Sequence, residues 1–178
     1  MLCAPAAWAA DNDEAVRALR EGGAVAAFRH TLAPGTYDPP GFKLGDCSTQ
    51  RMLSEEGRAQ ARQLGAWFAA RHLRPARLRS SPWCRCMETA QLAFGAAAAW
   101  PALGSPAGQS DAERSAQQQV LRAALKGASA QRGSFEVWVT HMFVMNDLVQ
   151  VSLAPGEGLV LRADAAGAPL VLARIMAF

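Results

Sequence analysis

Two histidines and two arginines occupy comparable places in this chain of 178 residues. His30 and His141 each follow directly on an apolar run, Arg29 precedes His30, and Arg85 lies in the first turn of a predicted helix. Guanidinium groups match the oxygens of a phosphoryl group, and a neutral imidazole is a competent nucleophile towards phosphorus. A second imidazole, in protonated form, would add charge and a hydrogen bond. Brought together, these four side chains could perform phosphoryl transfer.

The elements that must position these side chains follow from the alternation of apolar runs with amphipathic segments, which is typical of an α/β fold. Strands are predicted at residues 24–28, 74–79, 135–139, 158–162 and 169–175, and helices at 11–21, from the cap Ser54, at 83–99, at 111–126 and from about 146. Pro82 is expected to open the third helix, and Gly127 to end the fourth. Residues 32–50 form a long loop rich in proline and glycine. Because the carboxyl ends of parallel strands line one crevice, the two histidines and two arginines are expected to meet there.

The alternative for these four residues is structural: Arg29 and Arg85 would form surface ion pairs, and His30 and His141 would be satisfied core residues. The third histidine, His72, comes at the end of an amphipathic helix among arginines. We expect it to be a solvated residue at the end of that helix.

Composition narrows the class of protein. With 51% hydrophobic residues the chain can bury a core, which excludes a disordered protein, and no uncharged run is long enough to span a bilayer. The net charge of +3 comes mainly from arginines scattered along the sequence. A nucleic-acid-binding protein would show a denser basic stripe, so no nucleic-acid partner is expected.

The first ten residues predict export. They are uncharged and apolar, and they end in Ala7-Trp8-Ala9, which resembles the cleavage end of a secretory signal peptide. Residues 1–10 are therefore expected to be a signal-peptide remnant and 11–178 a single catalytic domain. Export would place the protein in the periplasm or outside the cell. The alternative is an ordinary alanine-rich leader on a cytoplasmic protein.

The cysteines bear on the same question. After removal of a leader, Cys47 could form a disulfide with Cys84 or with Cys86 in an oxidising compartment. A zinc site is disfavoured because a single residue separates Cys84 from Cys86, less than the usual gap between zinc ligands. No metal and no cofactor are expected.

The sequence motifs around these residues resemble those of the histidine phosphatase superfamily, also called the phosphoglycerate-mutase-like superfamily. The resemblance runs from about residue 23 to residue 162. Its motifs, in the family's order, are Phe28-Arg29-His30-Thr31, Leu53-Ser54-Glu55-Glu56-Gly57-Arg58-Ala59-Gln60-Ala61, Ser80-Ser81-Pro82-Trp83-Cys84-Arg85-Cys86-Met87-Glu88-Thr89-Ala90 and Val139-Thr140-His141.

The resemblance implies a three-layer α/β/α sandwich with a mostly parallel central sheet. It implies that His30 accepts the phosphoryl group, and that Arg29, Arg85 and His141 bind the substrate phosphate. The activity would be that of a phosphoric monoester hydrolase of the histidine acid phosphatase type, acting on a small-molecule phosphomonoester. Residues 45–51 and 155–157 are similar to a small exported branch that includes lipopolysaccharide core heptose phosphate phosphatases, which makes a phosphorylated sugar a possible substrate.

The sequence departs from the family pattern in three respects. Thr31 stands where a glycine usually follows the nucleophile, and residues 142–147 do not match the exported branch. The proton donor for the leaving group is unknown. The carboxylates considered for it are Asp111, Glu113, Asp147 and Glu157.

Two other functions remain possible: a phosphohistidine or phosphoprotein phosphatase of the cytoplasm, and a non-catalytic module that binds a phosphorylated ligand. The oligomeric state is not predicted. In the preferred interpretation Cys47 pairs with Cys84, because Cys84 adjoins Arg85 at the rim of the pocket and Cys47 lies in the loop after His30. Cys86 would then be a free, buried thiol.

Overall fold

A computed structural model describes residues 6–178 and, from residue 11 onward, their side chains. The predicted leader, residues 1–10, lies largely outside the described residues. The helices are α1 (Ala6–Glu21), α2 (Glu55–Ala70), α3 (Cys84–Phe94), α4 (Asp111–Ser129) and α5 (Met142–Val149), with short 3₁₀ turns at Cys47–Thr49 and Pro101–Leu103. The strands are β1 (Ala24–Arg29), β2 (Arg77–Ser80), β3 (Ala98–Ala99), β4 (Phe135–Thr140), β5 (Gly158–Ala163) and β6 (Pro169–Ile175).

The six strands of the described chain form one sheet in the order β3-β2-β4-β1-β5-β6. The pairs β3/β2, β2/β4 and β4/β1 are parallel, and β5 alone runs against its neighbours. The sheet is therefore mostly parallel, as predicted, and β1, β2 and β4 end at the same edge.

Both faces of the sheet are covered, which explains why β1 is continuously apolar from Ala24 to Phe28. In β1, Ala26 and Phe28 pack on one face with side chains of α1, α2 and α3, while Val25 and Ala27 pack on the other face with those of α4 and α5. This alternation is the two-residue period of a strand. The result is the predicted three-layer α/β/α sandwich.

Five predicted helix boundaries differ from the structure. The third helix ends at Phe94 because Gly95 adopts a φ of 87°, and the alanines at 98–99 pair with β2 as a short strand. Its N-cap is Trp83, so Pro82 precedes the helix and does not open it. The fourth helix continues through Gly127 to Ser129.

The fourth boundary is the start of the last helix, which begins at Met142, directly after His141, and not near residue 146. The segment that does not match the exported branch, residues 142–147, is therefore helical over its full length. The first helix begins at Ala6, five residues before its predicted start.

No helix in the part of the chain that the structure describes has the length and apolarity needed to cross a membrane.

Candidate active site

Parallel pairing of β1 with β4 brings the two histidines side by side. Arg29 is in register with Thr140, and the backbone N–H of His30 donates to the Thr140 carbonyl at 2.9 Å. The next residues, His30 and His141, have ring centroids 5.6 Å apart at an interplanar angle of 70°. Both side chains lie at the carboxyl ends of neighbouring parallel strands, as predicted.

The His30 ring is held in one protonation form. Its Nδ1 lies 2.8 Å from the Thr31 carbonyl oxygen, which can only accept, so Nδ1 carries the proton. The other nitrogen, Nε2, accepts a hydrogen bond from Arg85 Nε at 3.2 Å. Burial lowers the pKa of His30 to about 3, and the nearby charges of Arg85, Arg29 and Arg51 contribute to this shift. The imidazole is therefore neutral, with its Nε2 lone pair towards the cleft.

His141 is neutral as well. Arg85 Nη2 lies 3.4 Å from His141 Nδ1, and a guanidinium can only donate, so Nδ1 is the accepting nitrogen. Its Nε2–H then donates to Ser81 Oγ at 2.7 Å. Burial, followed by the charges of His30 and the arginines, holds the pKa of His141 well below its ordinary value. A protonated second imidazole, expected from the sequence, is thus not the form of the free protein.

Arg85 is the centre of the cluster. It enters from the first turn of α3, which follows β2, and its side chain is only 4% exposed. One guanidinium contacts both imidazoles, which places the predicted arginine at the meeting point of three strand ends. Its ion pair, with Asp38, is buried in the cleft and does not lie on the surface.

Two further arginines face the same cleft. Arg29 donates from Nη1 to the Leu153 carbonyl at 2.8 Å, and its buried Nε has no hydrogen-bond partner among the described residues. Arg51, which sequence reasoning did not single out, donates to the Ala33 carbonyl. Burial and the other arginines lower the pKa of Arg29 and of Arg51. Three guanidiniums at such close quarters are suited to an anion of more than one charge.

A carboxylate that the sequence did not indicate also belongs to the cleft. Asp38 lies in the long loop after β1, and its Oδ1 accepts from Arg85 Nη1 at 2.8 Å. In the sequence, only the length of this loop indicated that it could contribute to a site. The spacing of its residues does not show that Asp38 is the one that turns inward.

The four carboxylates considered as proton donors lie elsewhere. Asp147 is paired with Arg114, Glu157 is paired with Arg174, Glu113 forms the capping box of α4, and Asp111 is exposed at the start of that helix. None of these four lines the cleft.

The motif on α2 fixes the chain just after the nucleophile. Leu32 donates its N–H to Gln60 Oε1 at 3.0 Å and accepts at its carbonyl from the N–H of Ser54 at 3.0 Å. Ser54 in turn caps the helix by accepting from the N–H of Gly57. The residues that carry the family resemblance on α2 thus act by holding the exit of β1.

Thr31, which stands where the family has glycine, is accommodated by α3. Its N–H donates to Thr89 Oγ1 at 3.2 Å, and the two threonine hydroxyls are 3.1 Å apart. Thr31 is fully buried and does not have a positive φ. The threonine therefore adds a hydrogen bond between the nucleophile's loop and the helix that carries Arg85.

The predicted disulfide between Cys47 and Cys84 is present, and Cys86 is free and buried. The bond attaches the loop after β1 to the first turn of α3, next to Arg85. Gln50 reinforces the attachment, since its Oε1 accepts from the N–H of Cys84 at 3.0 Å. His72, as expected, is exposed and lies outside the site.

The two histidines, the three arginines and Asp38 line a cleft of about 260 Å³. Its outer wall is largely apolar and aromatic and includes Tyr37, Phe42, Trp83, Met142 and Phe143. Within the described residues, no group of three or more His, Cys, Asp or Glu side chains is placed to hold a metal ion. The cleft thus has a cationic floor and an unprotonated nitrogen on each of its two imidazoles, which suits a phosphoryl group.

Residues 45–103 match the family described as the histidine phosphatase superfamily (branch 1). Over this part of the chain, the sequence is therefore similar to the histidine phosphatase superfamily. No curated protein sequence matches the chain.

Solved structures show the same fold. The protein histidine phosphatase SixA, solved with tungstate, is 16% identical with a TM-score of 0.62, over 86% of this chain and 97% of that one. A phosphoserine phosphatase from Entamoeba histolytica is 13% identical with a TM-score of 0.64, over 86% and 96%. The alpha-ribazole phosphatase from Shigella flexneri is 13% identical with a TM-score of 0.63, over 86% and 96%.

Proposed function

We propose that this chain is a phosphatase that hydrolyses phosphomonoesters through a phosphohistidine formed on His30. The observation that carries the proposal is the state of the His30 ring. Its Nδ1–H is tied to the Thr31 carbonyl, and its unprotonated Nε2 lies 3.2 Å from an arginine in a cationic cleft. A nucleophile must be unprotonated and next to groups that bind the electrophile, and Nε2 meets both requirements.

The first half of the reaction follows from this placement. The substrate phosphate docks among Arg29, Arg85 and His141, with Arg51 close by, and His30 Nε2 attacks phosphorus in line with the leaving oxygen. Negative charge spreads over the equatorial oxygens as the bond to the leaving group breaks, and fixed guanidiniums stabilise that charge. Water then attacks the phosphohistidine, which releases inorganic phosphate and restores the neutral ring.

His141 changes form when the phosphate arrives. Its Nδ1 is an acceptor in the free protein, but a phosphate oxygen needs a donor at that position. A dianion beside the ring raises its pKa, so that the imidazole takes up a proton at Nδ1 while Ser81 keeps accepting from Nε2–H. The protonated imidazole inferred from the sequence is in this proposal a property of the complex.

The finer substrate class follows from the resemblance to heptose phosphate phosphatases, which makes phosphorylated sugars the first candidates. The rings of Phe42 and Trp83, with centroids 5.9 Å apart, offer an apolar wall above the phosphate for a carbon skeleton. Phosphohistidine peptides, which represent the competing phosphoprotein class, belong in the same substrate panel, together with nucleotides.

Export is the proposal for location. The Cys47–Cys84 disulfide supports it, because such bonds persist in oxidising compartments and are rare in the cytosol. Peptide mapping of unreduced protein from its native compartment should join Cys47 to Cys84. Reduced thiols at both positions would count against export.

Trapping the intermediate tests the phosphatase proposal. Rapid quenching of the wild-type enzyme with substrate carrying labelled phosphate should yield a labelled protein that is acid-labile and base-stable. His30→Ala should give no label and no turnover, whereas His72→Ala, which removes an exposed histidine outside the site, should behave as wild type. EDTA should leave the activity unchanged. An active enzyme without a covalent intermediate would contradict the role of His30.

A further inference from the structure

Asp38 is a buried carboxylate that the reaction as described does not use. Its side chain is 8% exposed and forms the wall of the cleft next to Arg85. Oδ1 accepts from Arg85 Nη1 at 2.8 Å and from the Arg51 N–H at 3.0 Å, and Oδ2 accepts from Trp83 Nε1 at 3.1 Å. Three donors from two separate segments therefore fix the carboxylate in place.

We propose that Asp38 is the general acid that protonates the leaving oxygen, an inference that rests on the phosphatase function proposed above. Arg85 fixes the position of Asp38 relative to the nucleophile. The same guanidinium contacts His30 through Nε and Asp38 through Nη1. A phosphoryl group bound to this guanidinium with phosphorus near His30 Nε2 has the Asp38 carboxyl on its far side. In an in-line displacement the leaving oxygen departs on the side away from the attacking nitrogen, which is where Asp38 lies.

The charge of Asp38 depends on what Arg85 binds. Burial alone raises the pKa of Asp38, but the hydrogen bond from the Arg51 N–H and the charge of Arg85 outweigh it and hold the pKa below its ordinary value. When phosphate oxygens take over Arg85, the carboxylate loses part of this stabilisation and gains an anionic neighbour. Both changes raise its pKa, since a like charge disfavours ionisation. In the same complex, Arg29 and the protonated His141 bind the phosphate, and the third guanidinium of the cleft, Arg51, lies close by.

The substrate itself supplies the proton. A phosphomonoester monoanion carries one proton below its second pKa of about 6, and this proton moves to Asp38 on binding. His30 Nε2 then forms a bond to phosphorus while the bond from phosphorus to the ester oxygen breaks. The proton of the Asp38 carboxyl passes to that oxygen, and the alcohol leaves with Asp38 as a carboxylate.

Dephosphorylation reverses these roles. Asp38 takes a proton from the attacking water, whose oxygen bonds to phosphorus as the bond to His30 Nε2 breaks. Phosphate leaves, His30 is neutral again, and the proton on Asp38 departs with the phosphate as the carboxylate pairs with Arg85 once more. The next substrate monoanion supplies the next proton. A general acid and base of this kind contributes about 10²- to 10⁴-fold in rate.

The test compares two leaving groups in Asp38→Asn. Nitrophenolate departs without a proton, whereas glycerol must be protonated as it leaves. We expect kcat/KM, which reports the steps up to alcohol release, to fall by about 10²-fold or more for β-glycerophosphate and by less than about tenfold for p-nitrophenyl phosphate. Asp38→Glu, which keeps a carboxyl, should recover part of the activity on β-glycerophosphate.

The matched control is Asp46→Asn, in the same loop, where the side chain is exposed and caps the 3₁₀ turn at Cys47–Thr49. It should leave both substrates unaffected. An equal loss on both substrates in Asp38→Asn would mean that Asp38 only positions Arg85, and no loss on either would mean that it has no role; each result overturns the inference while leaving His30 phosphorylation intact. A wild-type protein that hydrolyses neither substrate and forms no phosphoenzyme would reject the phosphatase function and the acid role together.

Discussion

Two effects set the protonation state of the His30 ring. A carbonyl at Nδ1 favours a proton there, while burial and three arginines disfavour any second proton at Nε2. The balance is a neutral ring over most of the acid range, which is the form that attacks phosphorus. In this site the positive charge that binds phosphate also keeps the nucleophile unprotonated.

The pH dependence of catalysis should show this. Because the pKa of His30 is lowered to about 3, protonation should remove the nucleophile only near that pH, and kcat/KM for p-nitrophenyl phosphate should have its acid limb there. An ordinary histidine would place the limb near 6.5. Near-ultraviolet circular dichroism at each pH separates the loss of nucleophile from acid unfolding. An acid limb near 6.5 in a folded protein would show that the pKa of His30 is not lowered.

At the scale of elements, the site depends on how closely α2 approaches the exit of β1. A Cβ added at Gly57 would lie 2.0 Å from the Leu32 carbonyl oxygen, so only glycine fits in the first turn of this helix. The contact lets Ser54 and Gln60 hold Leu32, two residues after the nucleophile. The glycine of the family motif is thus a packing requirement that keeps His30 in place.

A pair of glycine substitutions tests this requirement. Gly57→Ala should lower the free energy of unfolding by roughly 1–3 kcal/mol, because the helix or the loop must shift, and should lower kcat as His30 moves with Leu32. Gly127→Ala is the control, since that glycine lies inside α4 and a Cβ there meets nothing within 4 Å. It should stabilise the protein by about 0.5–1 kcal/mol. Chemical denaturation measures both, and equal effects would contradict the close approach.

What the sequence could predict at this scale depends on local signals. The apolar runs ending in His30 and His141 identified two strands, and parallel pairing then placed the histidines together without further information. Asp38 and Arg51 could not be found in this way, because they lie in a loop whose path is set by a disulfide and by side chains of α3. The end of α3 was missed for a related reason: residues 96–99 are all alanine, a good helix former, and pairing with β2 overrides that preference.

At the scale of the whole molecule, the buried histidines of the cleft lower the stability of the unliganded protein at acid pH. Two buried histidines stay neutral in the folded protein, whereas in the unfolded chain they titrate near 6.5. Below that pH the unfolded chain binds protons that the folded protein does not. The free energy of unfolding therefore decreases as the pH falls below 6.5. For His30 the decrease continues down to about pH 3, where the ring is protonated in the folded protein as well.

Thermal unfolding between pH 7 and pH 5 should register this linkage. Each neutral histidine should lower stability by up to about 1.4 kcal/mol per pH unit below its unfolded pKa. His30→Gln should reduce the slope, while His72→Gln, which changes an exposed ring, should leave it as it is. Inorganic phosphate should raise the Tm, because an anion that binds only the folded cleft stabilises it. A Tm that is independent of pH over this range would contradict the buried, neutral histidines.

The Cys47–Cys84 bond also determines how the molecule can be stretched. It closes a covalent ring across a sequence separation of 37 residues, and this ring contains the whole of α2 and β2. Tension applied at the two ends of the chain passes across the disulfide and not through the residues between Cys47 and Cys84. This segment, with an extended length on the order of 120 Å, therefore cannot be stretched. A pulled chain would therefore lose β1, β4 and the outer strands while Arg85 stays tethered to the loop that carries Asp38.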